Sequence, residues 1–231
     1  GSKKIALTIK DLQIEKNKTY GVVGSTGSGK STFIDILIGL LSPLEGEIKI
    51  DNINRDNFNL KNWTDKIGYV PQFAFMADDT IAKNIALGLD EKNFDLEKIR
   101  KVSNICRISD FIESELPNKY NTHIGEDGVR LSGGQRQRIS IARALYNDPS
   151  IVILDESTNS LDFNTEKLIL NNLLNQKNLT VIIISHRVST LKSCDKIILL
   201  ESGNIYAVDS YENLQKNNRT FQRLSEINEK K

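Results

Sequence analysis

The stretch Gly24-Ser25-Thr26-Gly27-Ser28-Gly29-Lys30-Ser31 constrains this 231-residue chain more than any other feature, because it fits the phosphate-binding pattern GxxxxGK[ST] at every position. Its glycines let the backbone bend so that successive N–H groups converge on phosphate oxygens. Lys30 adds a point charge, Ser31 offers a hydroxyl to Mg²⁺, and a following helix turns its positive end toward the anion. The flanks agree with a strand, a loop and a helix. Thr19 to Val23 is a short apolar strand, and Ile34, Leu37, Ile38 and Leu41 recur at i, i+3, i+4 and i+7, which predicts a buried helix. A nucleoside triphosphate is the expected ligand.

A hydrophobic content of 39% over this length allows one sizeable core. Lys+Arg 31 against Asp+Glu 30 leaves a net charge of +1, so the chain has no general field for nucleic acid, and none is expected as a partner. Cys106 and Cys194 have no CxxC spacing and read as buried thiols of a reducing compartment. No run approaches the ~18 apolar residues of a membrane span, and no signal peptide opens the chain. Gly1-Ser2 reads as a cloning scar.

Residues 5 to 16 alternate as irregular β structure, and Glu47 to Ile53 as a strand after a turn at Ser42 to Gly46. The strand 67–71 ends in Pro71, which puts Gln72 where α/β sheets place ligand contacts. Helices are predicted over 80–87, 95–105, 108–115 and 135–147, with no clear strand between them. Residues 73–148 are therefore an inserted helical subdomain, and 3–72 with 149–231 the remainder of one domain, 3–231. Strands return at 151–154 and 180–184, apolar enough for burial on both faces of a parallel sheet, with a helix over 163–175 between them. A hairpin over 195–200 and 204–208 and two short helices close the chain.

Asp155 and Glu156 end an apolar strand, where paired carboxylates are costly unless a cation or substrate uses them. Asp155 is the candidate Mg²⁺ partner of Ser31, and Glu156 the candidate base or orienter for an attacking water. A second glycine pair, in Leu131-Ser132-Gly133-Gly134-Gln135, feeds another helix start about a hundred residues after the first, so the chain offers two anion-binding helix ends. Arg136, Arg138 and Arg143 read as a solvated or salt-bridging face of that helix, and His123 as an ordinary loop residue.

These motifs in their order resemble the nucleotide-binding domain of an ATP-binding cassette (ABC) transporter over residues 5 to 217: the phosphate loop, Gln72 as the Q-loop, Leu131 to Gln135 as the LSGGQ signature, Ile151 to Asp155 as Walker B, Glu156, Leu161-Asp162 as the D-loop and His186 as the H-loop. The resemblance implies an α/β fold: a P-loop NTPase (RecA-like) core with a mostly parallel sheet, an N-terminal antiparallel β layer and the helical subdomain. It also implies ATP and Mg²⁺. Gly24 to Ser31 with Thr32 would bind the nucleotide; Ser31, Gln72 and Asp155 would hold Mg²⁺; Lys30, Gln72, Glu156 and His186 would serve catalysis. A second copy would face the first head to tail, so that Ser132, Gly133, Gly134 and Gln135 reach the partner's ATP.

Thr122 to Gly128 resembles the TxxGExG segment of exporters, as does Asp79-Thr80-Ile81 with Asn84-Ile85-Ala86. That implies a transmembrane domain on the parent polypeptide, an integral membrane protein with this portion at the cytoplasmic face. Phe73, Phe75 and Met76 either receive its coupling helix or belong to the helical core. Gly128 to Leu131 and Ser193 to Ile197 resemble flippases of lipid-linked oligosaccharides and related lipid exporters. Two readings compete: a soluble ABC protein acting on ribosomes or nucleic acid, which would carry two cassettes or a coiled-coil insertion, and a regulatory module without hydrolysis, which Lys30, Asp155, Glu156 and His186 argue against.

Ser157 and Asn159 depart from the family's usual alanine and serine. The aromatic that stacks on adenine has no counterpart, since Tyr20 belongs to the strand entering the phosphate loop, and it is expected upstream of residue 1. Base stacking contributes about 1 to 3 kcal/mol, or roughly 5- to 150-fold in affinity. Titrations should therefore find that this chain discriminates poorly between ATP and GTP, and that about twenty further upstream residues, a strand and turn, tighten ATP by such a factor. Equal affinities with and without the extension would show that stacking contributes little.

Overall fold

The computed structural model describes residues 5–57 and 59–229, with side chains as far as 226. In chain order the elements are β1 (Thr19–Gly24), α1 (Lys30–Ile38), β2 (Lys49–Ile50), β3 (Ile53–Asn54), α2 (Leu60–Thr64), β4 (Ile67–Val70), α3 (Ile81–Ile85), α4 (Leu96–Ile105), α5 (Ser109–Ser114), α6 (Gly133–Tyr146), β5 (Ile151–Asp155), α7 (Phe163–Leu174), β6 (Thr180–Ile184), β7 (Lys196–Glu201), β8 (Asn204–Asp209), α8 (Tyr211–Asn217) and α9 (Arg219–Glu229). They fall into two compact units: one runs to Ile67 and resumes at Ile182, the other is Gly68–Val181.

The first unit is built on β1, which is buried along its whole length because its residues face apolar layers on both sides. Within it the strand order is β6-β1-β7-β8. β1 and β7 are parallel, with Val22 opposite Ile198, and β8 returns antiparallel along β7, with Ile198 opposite Val208. Tyr211 and Phe221 close the far end edge to face, their ring centroids 5.5 Å apart.

Three expectations for this unit need correction. Residues 5–16 form no strand: among the described residues Thr8 alone makes a bridge, parallel to Asn204, with its N–H 2.6 Å from the Gly203 carbonyl oxygen. The alternation there is real, since Leu7, Ile9, Leu12 and Ile14 are half-buried, but one half-buried face does not supply a partner ladder. The single strand over 47–53 is a hairpin, β2–β3, turning at Asp51 (φ 49) and Asn52 (φ 66). Two consecutive left-handed residues make a two-residue primed turn, which Asp-Asn tolerates. Finally, α1 stops at Ile38, and Leu41 lies beyond it, 45% exposed.

The reason α1 stops is visible at its end. Gly39 takes a left-handed φ of 87 and its N–H bonds the Ile36 carbonyl. Arg55, 7% exposed, donates to the carbonyls of Ile36 (3.1 Å) and Leu41 (3.3 Å) and to Ser42 Oγ (3.2 Å). Trp63 of α2 donates its indole N–H to the Leu37 carbonyl at 2.8 Å. Side chains from outside the helix thus satisfy its last carbonyls.

The second unit contains all of residues 73–148, together with β4 from Gly68 onward, β5 and α7. α6 is its axis, burying Ile139, Ile141, Ala142, Leu145 and Tyr146, and packs on α3 and α4. α3, α4 and α7 open on side-chain caps from Thr80, Asp95 and Asp162, each accepting the N–H three residues on. Cys106 here and Cys194 in the first unit are both buried, as expected; burial pushes both thiols up, Cys194 to about 12.

The arginines of α6 are not the solvated or salt-bridging face expected of them. Each donates to backbone carbonyls: Arg136 to Leu131 (2.6 Å) and Gly128 (3.4 Å), Arg138 to Arg107 (2.6 Å) and Gly134 (3.3 Å), Arg143 to Asn84 (2.7 Å) and Phe75 (2.8 Å). A guanidinium's five donors suit several loop carbonyls at once, which a count of charges along the sequence does not reveal.

Removing the Arg55 guanidinium takes one donor from the Ile36 carbonyl, which keeps the Gly39 N–H, and the donors to the Leu41 carbonyl and Ser42 Oγ just beyond α1, at about 1 to 3 kcal/mol. Arg55→Ala should therefore lower the melting temperature by roughly 2 to 10 °C. Calorimetry that finds the variant as stable as the parent would remove Arg55 from the capping role.

Candidate functional site

The sequence-predicted residues fall in both units. In the first, the phosphate loop links β1 to α1. Gly24 ends the strand where an added Cβ would lie 2.3 Å from the Leu200 carbonyl oxygen, so no other residue fits without moving β7. Ser25, Thr26 and Gly27 are exposed, while Ser28 and Lys30 are buried. Lys30 Nζ donates to the carbonyls of Gly24 (2.9 Å) and Ser25 (3.1 Å), which curls the loop around its ammonium. Ser31 is exposed and Thr32 half-buried on the first turn of α1.

The start of α1 differs from most helices of this chain. α2, α3, α4, α6, α7 and α8 each have a side chain accepting a first-turn N–H. α1 has Gly29 at that position, with φ 101, no side-chain cap and no acidic residue in its first turn. Its amides are left for an external acceptor. Ser28 Oγ, fully buried, has no hydrogen-bond partner among the described residues. A bare helix start, a buried lysine and an unpartnered hydroxyl in one loop fit a polyanion. His186, also in this unit, is exposed beyond the carboxyl end of β6.

In the second unit β5 delivers Asp155 and Glu156. Glu156 adopts φ 50, left-handed for a residue with a side chain, and such backbone strain clusters at functional positions. Gln72 Nε2 donates to Glu156 Oε2 at 3.1 Å, so the structure brings together the glutamine and glutamate that the sequence placed 84 residues apart. Tyr69 of β4 donates its hydroxyl to Asp155 Oδ2 at 3.0 Å. Tyr69 is absent from the sequence-predicted set; its signal was the same as that of Gln72, a polar group near the carboxyl end of β4.

The signature segment lies in this unit as well. Ser132 caps α6, accepting the Gln135 N–H at 3.2 Å, while Gln135 Oε1 accepts the Ser132 N–H at 2.7 Å. This is a reciprocal capping box, legible in Ser-x-x-Gln though not part of the sequence reading. Gln137, buried, was also missed: its Oε1 accepts the Ser160 N–H at 3.0 Å and ties the D-loop to the signature helix. Thr158 donates to Glu166 at 2.5 Å behind that loop. Ser157, one of the two departures from the family pattern, is buried without a partner for its Oγ among the described residues; Asn159, the other, is exposed.

Of the aromatic segment after Gln72, Met76 is core at 1% exposure, whereas Phe73 (83%) and Phe75 (60%) face solvent. Tyr20 is fully buried in β1 and its hydroxyl accepts the Glu15 N–H, so it offers no face to a base. His123 is not merely a loop residue but bridges Thr80 antiparallel. Among the described residues, no helix is long and apolar enough to cross a membrane.

The sequence profile of the ABC transporter family matches residues 7–159. The mouse protein ATP-binding cassette sub-family B member 5 is 38% identical over 214 residues, which cover 92% of this chain and 17% of that protein. The ATP-dependent lipid A-core flippase of Coxiella burnetii is 41% identical over 226 residues, 96% of this chain and 38% of the flippase. Among solved structures, a bacterial Atm1-family ABC exporter with ATP bound superposes with a TM-score of 0.85 at 33% identity, over 92% of this chain and 37% of that one. The chain thus spans well under half the length of each.

The two signature glycines differ in what surrounds them. An added Cβ at Gly134 would lie 3.2 Å from the Ser160 carbonyl oxygen, a backbone atom, whereas at Gly133 the nearest atom is the Ser160 Cβ at 3.4 Å. Gly133→Ala should keep or slightly raise the melting temperature, while Gly134→Ala should cost about 1 kcal/mol through the displaced D-loop. Equal melting temperatures would show that this packing does not restrict position 134.

Proposed function

We propose that this chain, which belongs to the ABC transporter family, is the ATP-hydrolysing domain of an exporter that works as a head-to-tail pair around two ATP molecules. The Gln72–Glu156 hydrogen bond carries the reading of hydrolysis, because it orients a carboxylate at the end of β5 beside an amide that can hold a water. The bare start of α1, Lys30 and the loop from Gly24 to Ser31 with Thr32 receive the triphosphate. Ser31, Gln72 and Asp155 are the candidate ligands of Mg²⁺, which would neutralise phosphate charge when bound. Tyr69 orients the Asp155 carboxylate toward that task. Glu156 takes the proton of the attacking water, and His186 senses the γ-phosphate.

Ser132 supports the paired arrangement. Its Oγ accepts from Gln135 N–H, which leaves its own O–H to donate to a phosphate of the second copy's nucleotide, alongside Gly133, Gly134 and Gln135 at the start of α6. Exposed Phe73 and Phe75 are the contact for a coupling helix of the transmembrane domain. The relatives named as lipid A-core flippases support a lipid or lipid-linked saccharide as cargo of the transmembrane domain, with this chain at the cytoplasmic face of the membrane.

Glu156→Gln keeps the shape but cannot accept a proton, so hydrolysis should fall by about 10²- to 10⁴-fold with nucleotide binding preserved, and trapped ATP should hold two chains together. Phosphate release within a few-fold of the parent would remove Glu156 from the role of base. Ser132→Arg and Lys30→Ala should each be inactive alone yet regain activity when mixed, because one composite site then has both motifs intact. If the mixture stays inactive while both variants melt like the parent, the paired arrangement is wrong.

A further inference from the structure

Glu156 stands in a backbone conformation that residues with a side chain rarely adopt. Its left-handed φ of 50 persists where the surroundings over-determine it. The chain leaves β5 at Asp155, reverses through Glu156 and runs as a turn to the cap of α7 at Asp162. The far side of that turn is held at Ser160, by Gln137 on the N–H and by the close approach of its carbonyl to Gly134. The Leu161 N–H closes back onto the Thr158 carbonyl at 3.0 Å. On the side nearer Glu156, Ser157 and Thr158 are buried, and the Thr158 hydroxyl donates to Glu166 Oε1 of α7 at 2.5 Å.

Glu166 is itself only 3% exposed, and a carboxylate is costly to bury unless hydrogen bonds or charges receive it. Two ordinary uses do not account for its position. The start of α7 is already capped by Asp162, which accepts the Thr165 N–H at 3.0 Å. A carboxylate that favours a helix start by charge alone can do so from the surface, without burial. Its bond to Thr158 has the length of a hydroxyl donating to a carboxylate, among the stronger of protein hydrogen bonds. That bond ties α7 to a point two residues past Glu156, while β5 fixes the residue before it. The φ of Glu156 therefore cannot relax without pulling Thr158 from its buried place or swinging the Glu156 carboxylate away from Gln72, now 3.1 Å away.

We propose that Thr158 and Glu166 are positioning residues for hydrolysis: their bond keeps Glu156 in its left-handed conformation, and so keeps the base beside the Gln72 amide. The inference rests on the ATPase reading above and adds to it what aims the base. Both residues act through Glu156 rather than on the nucleotide. Breaking their bond should lower turnover without weakening the hold on ATP, and should matter only while residue 156 is a base.

The test is steady-state hydrolysis of ATP with Mg²⁺ by the full chain and its variants. Thr158→Val keeps the shape and loses the donor, so kcat should fall roughly 10- to 100-fold, the effect of a misplaced catalytic group, with KM for ATP within about twofold. Thr158→Ser keeps a hydroxyl donor and should hold kcat within about threefold of the parent. In a Glu156→Gln background, Thr158→Val should lower the residual rate by less than about twofold, because residues that act as a unit are not additive. A Thr158→Val chain that melts lower yet turns over like the parent, or that loses as much activity in Glu156→Gln as in the parent, overturns the inference and leaves the ATPase reading standing. So does a crystal structure of Thr158→Val in which Glu156 keeps its left-handed φ and its bond to Gln72. If the parent does not hydrolyse ATP, or Glu156→Gln hydrolyses it as fast, the ATPase reading or its base fails and takes the inference with it. Should Thr158→Val not melt cooperatively, the double variant Thr158→Val/Glu166→Leu, in which apolar groups replace both partners, decides in the same way.

Discussion

The first-turn amides of α1 have no side-chain cap, and much of the first unit is arranged to keep that helix in place without one. A cap normally satisfies one of the orphan donors at a helix start, and glycine in its place, as at Gly29, costs about a few tenths of a kcal/mol. The opposite end compensates: Gly39, Arg55 and Trp63 satisfy its carbonyls, so the helix is anchored from behind and open in front. Lys30, curled back onto the Gly24 and Ser25 carbonyls, keeps the loop shaped. The buried strand β1 fixes where the loop begins.

α6 begins with the same kind of glycine-rich feed and reaches a different local solution. Ser132 and Gln135 satisfy each other's backbone donors, so this helix start is complete within its own chain. One helix end waits for an acceptor; the other is preformed and retains a hydroxyl donor to offer. That asymmetry accords with one motif gripping a nucleotide and the other meeting one already bound. The signature glycines have a second use, since Gly134 lets the Ser160 carbonyl approach α6 and Gln137 fixes the same turn by its amide.

Polar side chains that satisfy backbone groups are the common device of the second unit. Asn84 stands in for a strand, Arg136, Arg138 and Arg143 collect loop carbonyls, and Tyr146 accepts the Asp95 N–H at the start of α4. Long loops between helices carry backbone donors and acceptors that need partners once they pack, and these side chains provide them in place of sheet ladders.

Local sequence alone determined the phosphate loop, the carboxylate pair, the signature and the main helices of the second unit, because each depends on residue types at short, fixed spacing: glycine where the backbone must bend, apolar residues at helical or strand period, and a cap before the first turn. The strand order β6-β1-β7-β8 and the Gln72–Glu156 and Tyr69–Asp155 contacts were decided only by tertiary structure, since they join residues far apart in the chain. The same holds for the arginines of α6. A charged side chain on a helix reads as solvated until the fold brings unsatisfied carbonyls within reach, and whether it meets water, a carboxylate or a backbone oxygen depends on packing that no local pattern encodes. Residues 5–16 show the converse limit: their alternation marks which side chains turn inward, but a strand also needs a neighbour, and there the fold supplies only the bridge at Thr8.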